Sequence, residues 1–266
     1  MTNETSEQKQ AGTVETSEPP AKPSLDWKEL TDVIDLAAWA GQLLMQNGAD
    51  SERVEETVHR IGMALGCEWL DVFVSAHSLG ITTVSGDTFR TKIRRIGPGG
   101  VNMTIVSAIN RLSRRIEEGE LDRVQARSEL ERISHIPSHY PRWLVVVMVG
   151  LACAAFSRLF GGDWPVFGVT FISASVAMFV RQELARRHFN PLLIVALVSF
   201  VGSLLASSAT VFRLSHEPSL ALAATVLLLV PGVPLINSLD DLIGGYIMTG
   251  VARGVYGGLI SLAIAL

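Results

Sequence analysis

The sequence predicts an α+β N-terminal domain followed by an all-α membrane domain of five transmembrane helices, the fourth of them broken at Pro231-Gly232. Two observations predict this fold class. The chain has 266 residues, of which 48% are hydrophobic, but before residue 143 it is polar and charged, whereas residues 143–266 consist mainly of long apolar runs. Each run is about 17–25 residues long, which is the length that a helix needs to cross a bilayer.

Composition divides the chain into four parts. Residues 1–25 are rich in Thr, Glu, Ser, Gln and Pro. We expect this tail to be disordered because it cannot bury enough apolar surface, and no apolar run near the start predicts a secretory signal. Residues 26–136 form the predicted α+β domain, residues 137–142 a linker that contains two prolines, and residues 143–266 the transmembrane domain.

The α+β domain is predicted from apolar periodicity and from strand composition. The segment 68–84 is rich in Val, Ile, Phe and Thr and is interrupted near residues 78–80, and a third strand is predicted at 88–93. Apolar residues at helical spacing, with Asp50 or Ser51 as a cap, predict the helices. These helices cover about 36–47, 51–66, 101–118 and 121–134.

Positive charges predict how the apolar runs are oriented. Arg142 and the basic connector at 181–188 mark two cytoplasmic ends, because Lys and Arg concentrate on that side. We therefore expect the N-terminus in the cytoplasm and the C-terminus outside. The net charge of −4, from 22 basic and 26 acidic residues, gives no reason to expect nucleic-acid binding. The five predicted spans are residues 143–160, 164–180, 191–212, 219–238 and 242–266.

The fourth run is interrupted by Pro231, Gly232 and Pro234. A continuous helix is not expected there, because proline removes a backbone donor and glycine adds conformational freedom. In hydrocarbon, a broken backbone is tolerated where protein covers it or where it lines a wet cavity. Such interrupted segments often mark the binding site of a secondary transporter. The alternative is a kink that only helps the helices to pack.

Polar and small residues form faces on three of the predicted spans. Arg253 is the ionisable group furthest inside an apolar run, and an intramembrane charge is a functional hypothesis by default. Serine and glycine faces are alternatively plain packing seams. The faces comprise Tyr246, Thr249, Arg253 and Tyr256, beside Gly250, Gly254 and Gly258; Ser199, Ser203 and Ser207; and Thr170, Ser173, Ala177 and Arg181.

Two carboxylates follow the break. Asp240 or Asp241 is a candidate partner for Arg253, and one of them is a candidate relay for a proton or a cation. Alternatively, Ser238-Leu-Asp-Asp241 matches a capping pattern for the start of the fifth helix. After Pro234 we expect a new half-helix, and its free amides and Arg253 would together hold a substrate carboxylate. These amides belong to Leu235, Ile236 and Asn237.

The N-terminal half contains Asp71, Ser75, His77 and Ser78, which invite comparison with a hydrolase triad. No G-x-S-x-G motif accompanies them, and neither C-x-x-C nor H-E-x-x-H occurs. We therefore expect no enzyme activity, no catalytic residue, no metal and no cofactor, and a structural or gating role for this half. A membrane-anchored hydrolase remains the less favoured alternative.

Several segments resemble the threonine/serine exporter family, in particular its split, two-gene form from the bacterial inner membrane. They are Tyr140-Pro-Arg-Trp-Leu144, Gly150-Leu-Ala-Cys-Ala154, Met178-Phe-Val-Arg-Gln182, Pro231-Gly-Val-Pro-Leu-Ile-Asn237, Gly48-Ala-Asp-Ser-Glu-Arg-Val54 and Ile81-Thr-Thr83. The resemblance implies a cytoplasmic N-terminal domain, five spans in the bilayer, and a small five-span membrane partner resembling YjjB. A higher oligomer of the complex is also considered.

The resemblance also implies a substrate class. Family substrates are small amino acids or, for the split form, a dicarboxylate such as succinate, which the cations Arg181 and Arg253 favour. The substrate-binding candidates are Pro231, Gly232, Pro234, Leu235, Asn237 and Arg253, and the pathway or coupling candidates are Arg181, Asp240, Asp241, Thr249 and Ser203. A threonine/serine exporter subunit and a non-transporting regulatory subunit remain alternatives.

Overall fold

A computed structural model describes residues 25–86, 88–97, 99–136, 140–212, 217–227 and 229–265. Nearly all of the predicted N-terminal tail and the first half of the predicted linker lie outside these ranges. The polypeptide is mostly helical, with one small sheet. Both features agree with the sequence-based expectation of a mixed N-terminal half and a helical C-terminal half.

The N-terminal part begins with two helices, α1 (Trp27–Gln46) and α2 (Ser51–Ala64). Asp26 and Asp50 cap them, because each carboxylate accepts a hydrogen bond from a first-turn amide that has no partner within the helix. The turn between the helices includes Gly48, whose φ of +90° is unfavourable for other residues.

Three strands follow as an antiparallel meander: β1 (Trp69–Ser75), β2 (Ser78–Ser85) and β3 (Thr88–Arg95), in the order β1-β2-β3. Along β2 buried residues alternate with partly exposed ones, which is the period of a strand with one face on a core. Helices α3 (Met103–Glu117) and α4 (Arg123–Ser134) complete this part.

The helices and the sheet share one hydrophobic core, whose buried residues lie between positions 30 and 133. Leu30, Leu44, Ile61, Leu79 and Ile109 are among its largest fully buried side chains. Because these residues come from α1, α2, β2 and α3, the core fixes the position of the turn between α1 and α2.

Seven further helices follow within the described ranges, most of them apolar. Among the described residues, four helical segments are long and apolar enough to cross a membrane. A fifth span results if α9 and α10, which are bent by 61° relative to each other, count as one. The helices are α5 (Arg142–Leu159), α6 (Trp164–Arg186), α7 (Pro191–Ala206), α8 (Ser208–Val211), α9 (Ser219–Leu227), α10 (Gly232–Ile243) and α11 (Ile247–Ala265).

Several boundaries differ from the prediction, among them the start of α1, which lies at Trp27 and not near residue 36. Helix α6 continues to Arg186, so most of the predicted connector at 181–188 is helical. The last helix begins at Ile247, not at residue 242, because the chain turns at Gly244 and at Gly245, whose φ is +86°. The segment 238–241 therefore lies inside α10, and the prediction that it caps the fifth helix is wrong.

Helices α10 and α11 form a closely packed hairpin. Three glycines of α11 face α10, because a Cβ at Gly250, Gly254 or Gly257 would lie 2.7–2.8 Å from an α10 side chain. At Gly258, one of the three predicted positions, no described atom lies within 4 Å of such a Cβ. The three glycines in contact with α10 are separated by four and then three residues, a spacing that keeps them on one face of the helix. Gly257 therefore makes the contact that was predicted for Gly258.

Candidate functional site

The α10–α11 hairpin contacts the turn between α1 and α2. The Asn237 amide Nδ2 donates a hydrogen bond of 2.9 Å to the Gly48 carbonyl. Arg253 Nη2 donates to the Ala49 carbonyl at 3.3 Å, and the Ser51 backbone N–H donates to Asp241 Oδ1 at 2.8 Å. Three hydrogen bonds thus join the α10–α11 hairpin to one short turn of the N-terminal part.

The local structure of the turn explains these contacts. Ser51 is the first residue of α2, so its N–H has no carbonyl partner within the helix and lies at the positive end of the helix dipole. The loop at Gly99 and Gly100 supports the turn from the other side. The Gly100 N–H donates to the Gln46 carbonyl at 3.0 Å, and a Cβ at Gly99 would lie 1.9 Å from that oxygen, so the loop requires glycine there.

Asp241 and Arg253 form a buried ion pair. Arg253 Nη1 donates to Asp241 Oδ2 at 2.8 Å; Asp241 is 1% exposed, and the Arg253 side chain is 16% exposed. Of the two carboxylates that the sequence offered, Asp241 is therefore the partner of Arg253, and Asp240 is exposed. Within the described chain, Asp241 and Ala49 engage two of the five N–H donors of the guanidinium.

A cavity of about 230 Å³ lies at this junction. Pro234, Asn237, Arg253 and Tyr256 line it from the hairpin, and the α1–α2 turn and the loop at residues 99–101 line the remainder. The cavity is therefore bounded by a guanidinium, a carboxamide and backbone groups of two loops. These groups are suited to a small polar ligand with a carboxylate, since arginine recognises a carboxylate with two parallel hydrogen bonds.

Other predicted binding residues do not line this cavity. Leu235 packs against Gly257 of α11, Pro231 lies beside it, and Gly232 is exposed. The half-helix begins at Gly232 and not after Pro234, because a proline is tolerated in the first helical turn, where its missing N–H is not needed. The Leu235 N–H donates to the Pro231 carbonyl at 3.1 Å, so the prediction that this amide is free is wrong.

Two further contacts extend the junction along the start of α11. Thr249, which is buried, donates from Oγ1 to the Val74 carbonyl at the end of β1, at 3.2 Å. The Tyr246 hydroxyl donates to Glu55 Oε2 at 2.6 Å. Burial, and after it the hydrogen bond to Glu55, raises the pKa of Tyr246, so the phenol remains protonated and acts as the donor.

Arg181 and Ser203 border different cavities. Arg181 is exposed and borders a space of about 80 Å³ beside Thr225 and Leu229. Ser203 lies with Ser199 and other residues around a space of about 350 Å³ between α7, α9 and α11. These two predicted pathway residues therefore do not share the cavity that Arg253 lines.

The junction includes residues that were not among the predicted site residues, namely Gly48, Ala49 and Ser51. Their segment was noted in the sequence only as part of the family resemblance. The glycine at the end of α1 was the available signal, because it indicates a turn that exposes its backbone groups.

The model of the threonine/serine exporter family, ThrE, matches residues 35–266. The chain belongs to this family. The "Probable succinate transporter subunit YjjP" of Escherichia coli K12 is 37% identical over 234 residues, which cover 87% of this chain and 90% of that protein. The protein of the same name from Klebsiella aerogenes is also 37% identical, over 90% and 92% of the two chains.

A longer relative is the "Threonine/serine exporter" of Corynebacterium glutamicum, which is 25% identical over 86% of this chain but only 48% of its own length. No solved structure gives a significant match. The chain is thus a multi-pass membrane protein of a transporter family, and the relatives named above are transporters or exporters, not enzymes.

Proposed function

We propose that this chain is one subunit of a two-component secondary transporter that exports a small carboxylate, and that the carboxylate is a dicarboxylate such as succinate. The observation that carries the proposal is the cavity at the broken helix, where Arg253 lies beside Asn237 and Pro234. The name of the relative that matches over nine-tenths of its length supports the choice of succinate.

The size and chemistry of the cavity support a small acidic ligand. Its 230 Å³ is below the roughly 300–1,000 Å³ of pockets that hold drug-sized ligands, so a metabolite of a few carbon atoms is the appropriate class. Arg253 forms an ion pair with Asp241. In the described structure two of its five N–H donors are engaged, one by Asp241 and one by the Ala49 carbonyl. A substrate carboxylate would bind the remaining donors, or would replace Asp241 as the partner of the guanidinium.

The comparison supports a second component. The Escherichia coli relative is named a transporter subunit, and we propose that the second component resembles YjjB. If each component has five spans, the two would have opposite orientations, which is a recurring transporter architecture. In this arrangement the N-terminus is cytoplasmic, the C-terminus lies outside, and the α+β domain of residues 26–136 regulates access to the cavity from the cytoplasm.

Two observations favour alternatives. The Corynebacterium relative is named for threonine and serine, whose carboxylate would also bind Arg253. The ion pair between Asp241 and Arg253 would by itself give Arg253 a structural role, as expected for a subunit that regulates transport without contacting the substrate.

Flux measurements in proteoliposomes test the proposal. The chain is reconstituted with and without the second membrane subunit, and labelled succinate, threonine and serine are supplied in turn. We expect succinate flux only when both subunits are present. Flux of threonine or serine without succinate would overturn the substrate, and flux of none of the three by a correctly assembled complex would favour the regulatory subunit.

A further inference from the structure

Helix α10 has a face that its neighbours leave uncovered. Five of its six exposed residues recur at offsets of four, seven, eight and eleven positions, which places them on one side of the helix. These five are Gly232, Ile236, Leu239, Asp240 and Ile243, whereas the sixth, Leu242, lies against Gly250 of α11. Ile236 and Leu239 are each 60% exposed and Ile243 is 87% exposed. The buried residues of α10, Ser238 and Asp241, face α11 and α2 instead.

Asp240 is the feature that distinguishes this face from a lipid-facing surface. Ile236 precedes its carboxylate by about one turn and Ile243 follows it by about one turn, so apolar side chains flank it on both sides. In the described part of the chain no basic side chain forms a salt bridge with Asp240, and Arg253 is paired with Asp241. Charged side chains within membrane segments face protein or water and pair with one another, not with lipid.

The start of the same face has room for another helix. A Cβ at Gly232 would meet no described atom within 4 Å, so the surface is open there. Small residues at such positions allow helix backbones to approach closely in membranes. An open glycine, three exposed aliphatic side chains and a carboxylate with no salt bridge among the described residues therefore lie together along α10.

We infer that this outer face of α10 is the docking surface for a transmembrane helix of the second subunit, and that this helix carries an arginine or a lysine opposite Asp240. The inference rests on the proposed two-component function. A second copy of this chain fits the face poorly, because a twofold axis through identical faces would bring two Asp240 carboxylates together. A partner helix with a basic side chain would form an ion pair with the Asp240 carboxylate and would cover the exposed aliphatic side chains of α10.

Site-specific crosslinking tests the docking surface. A photoreactive benzoyl-phenylalanine is placed at position 236 or 239 in the full chain, which is co-expressed with the second subunit and irradiated in membranes. Matched controls carry it at Phe200 or Leu204, two exposed positions on α7. We expect a crosslink to the second subunit from 236 and 239, at least tenfold stronger than from the controls, and the crosslinked peptide should contain a basic residue.

Charge exchange tests the role of Asp240. Asp240→Lys should reduce the crosslink from position 236 at least tenfold, and replacing the basic partner residue by Asp in the same cells should restore it to within twofold of the original. Equal crosslinking from the α7 controls, a crosslink only to lipid or to a second copy of this chain, or no restoration by the exchange would overturn the inference.

The crosslink is measured without transport, so the two proposals fail separately. If succinate flux requires both subunits but α10 forms no crosslink, the docking surface is wrong and the proposed function stands. If α10 crosslinks as expected but none of the tested substrates is transported, the proposed function is wrong.

Discussion

The buried pair of Asp241 and Arg253 gives the sharpest prediction about stability. Arg253→Gln removes the cation and leaves a carboxylate that is 1% exposed. Breaking a buried ion pair by removing one partner costs about 3–5 kcal/mol. Because the Ser51 N–H still donates to Asp241 in this variant, we expect a cost near the lower limit, about 3 kcal/mol.

The double variant with Asp241→Asn separates charge from packing. Two neutral amides can hydrogen-bond to each other, and neither leaves an uncompensated charge in the protein. We therefore expect the double variant to be more stable than Arg253→Gln alone, with a coupling free energy of about 2–3 kcal/mol between the two positions. Asp240→Asn is the matched control, because this neighbouring carboxylate is exposed and its replacement should change stability by less than about 0.5 kcal/mol.

Thermal unfolding of the purified chain in detergent, followed by tryptophan fluorescence at a fixed scan rate, measures these effects. For a chain of this size a change of 1 kcal/mol shifts Tm by about 2–4 °C, so Arg253→Gln should lower Tm by about 6–12 °C and the double variant should lower it by less. The reasoning is refuted if Arg253→Gln leaves Tm unchanged, or if the loss in the double variant equals the sum of the two single losses.

Three further predictions concern the same junction. Ser51→Pro removes the N–H that donates to Asp241. Because Ser51 is the first residue of α2, where proline is compatible with the helix, the loss of that hydrogen bond should lower the free energy of unfolding by about 1.5–3 kcal/mol in the same assay. Ser51→Ala keeps that N–H, removes a hydroxyl that has no partner in the described structure, and should change stability little; equal losses would exclude the role of the amide. Gly250→Ala places a methyl group 2.8 Å from Leu242 and 2.9 Å from the Ser238 carbonyl, so it should destabilise the hairpin by about 1–3 kcal/mol, whereas Gly258→Ala should be neutral or stabilising. The reverse order would contradict the packing of α10 on α11. Thr249→Val should cost about 1 kcal/mol by removing the hydrogen bond to Val74, and Thr249→Ser, which keeps the hydroxyl, should retain most of that stability.

Much of the fold could be predicted from the sequence because its signals are local. Periodic apolar residues predicted α2, α3 and α4 to within a few residues. Residue type and position offered Asp50 or Ser51 as the cap of α2, and Asp50 is the cap in the structure. The break in the fourth apolar run was also predictable, since Pro231 and Gly232 act on their own backbone.

The start of the last helix could not be predicted in the same way. Ser238 and Asp241 match a capping pattern, but Ser238 donates to the Gly250 carbonyl across the hairpin at 2.7 Å, and Asp241 accepts a hydrogen bond from the Ser51 N–H at the start of α2. Both side chains make tertiary contacts, and a local pattern cannot distinguish these from a cap of the following helix. The two glycines at 244 and 245 were the better signal for the turn.

The junction was only partly predictable for a related reason. Arg253, Asn237 and Pro234 were singled out because they are polar or helix-breaking residues within apolar runs. Their partners lie on the turn between α1 and α2, and 190 positions separate Ser51 from Asp241. One sequence gives no periodicity or spacing that relates such distant residues, so only the folded chain shows that the turn closes the cavity.

Succinate flux by the double variant Arg253→Gln/Asp241→Asn tests most directly the claim that the Arg253 cavity binds the transported carboxylate. The variant is reconstituted with the second subunit after its folding and its assembly with that subunit have been verified, so that loss of structure is excluded. If Arg253 binds the substrate, the initial rate should fall at least tenfold below that of the unmodified complex. A rate within twofold of the unmodified complex would show that the ion pair only holds the hairpin against the N-terminal part, and would contradict the proposed site.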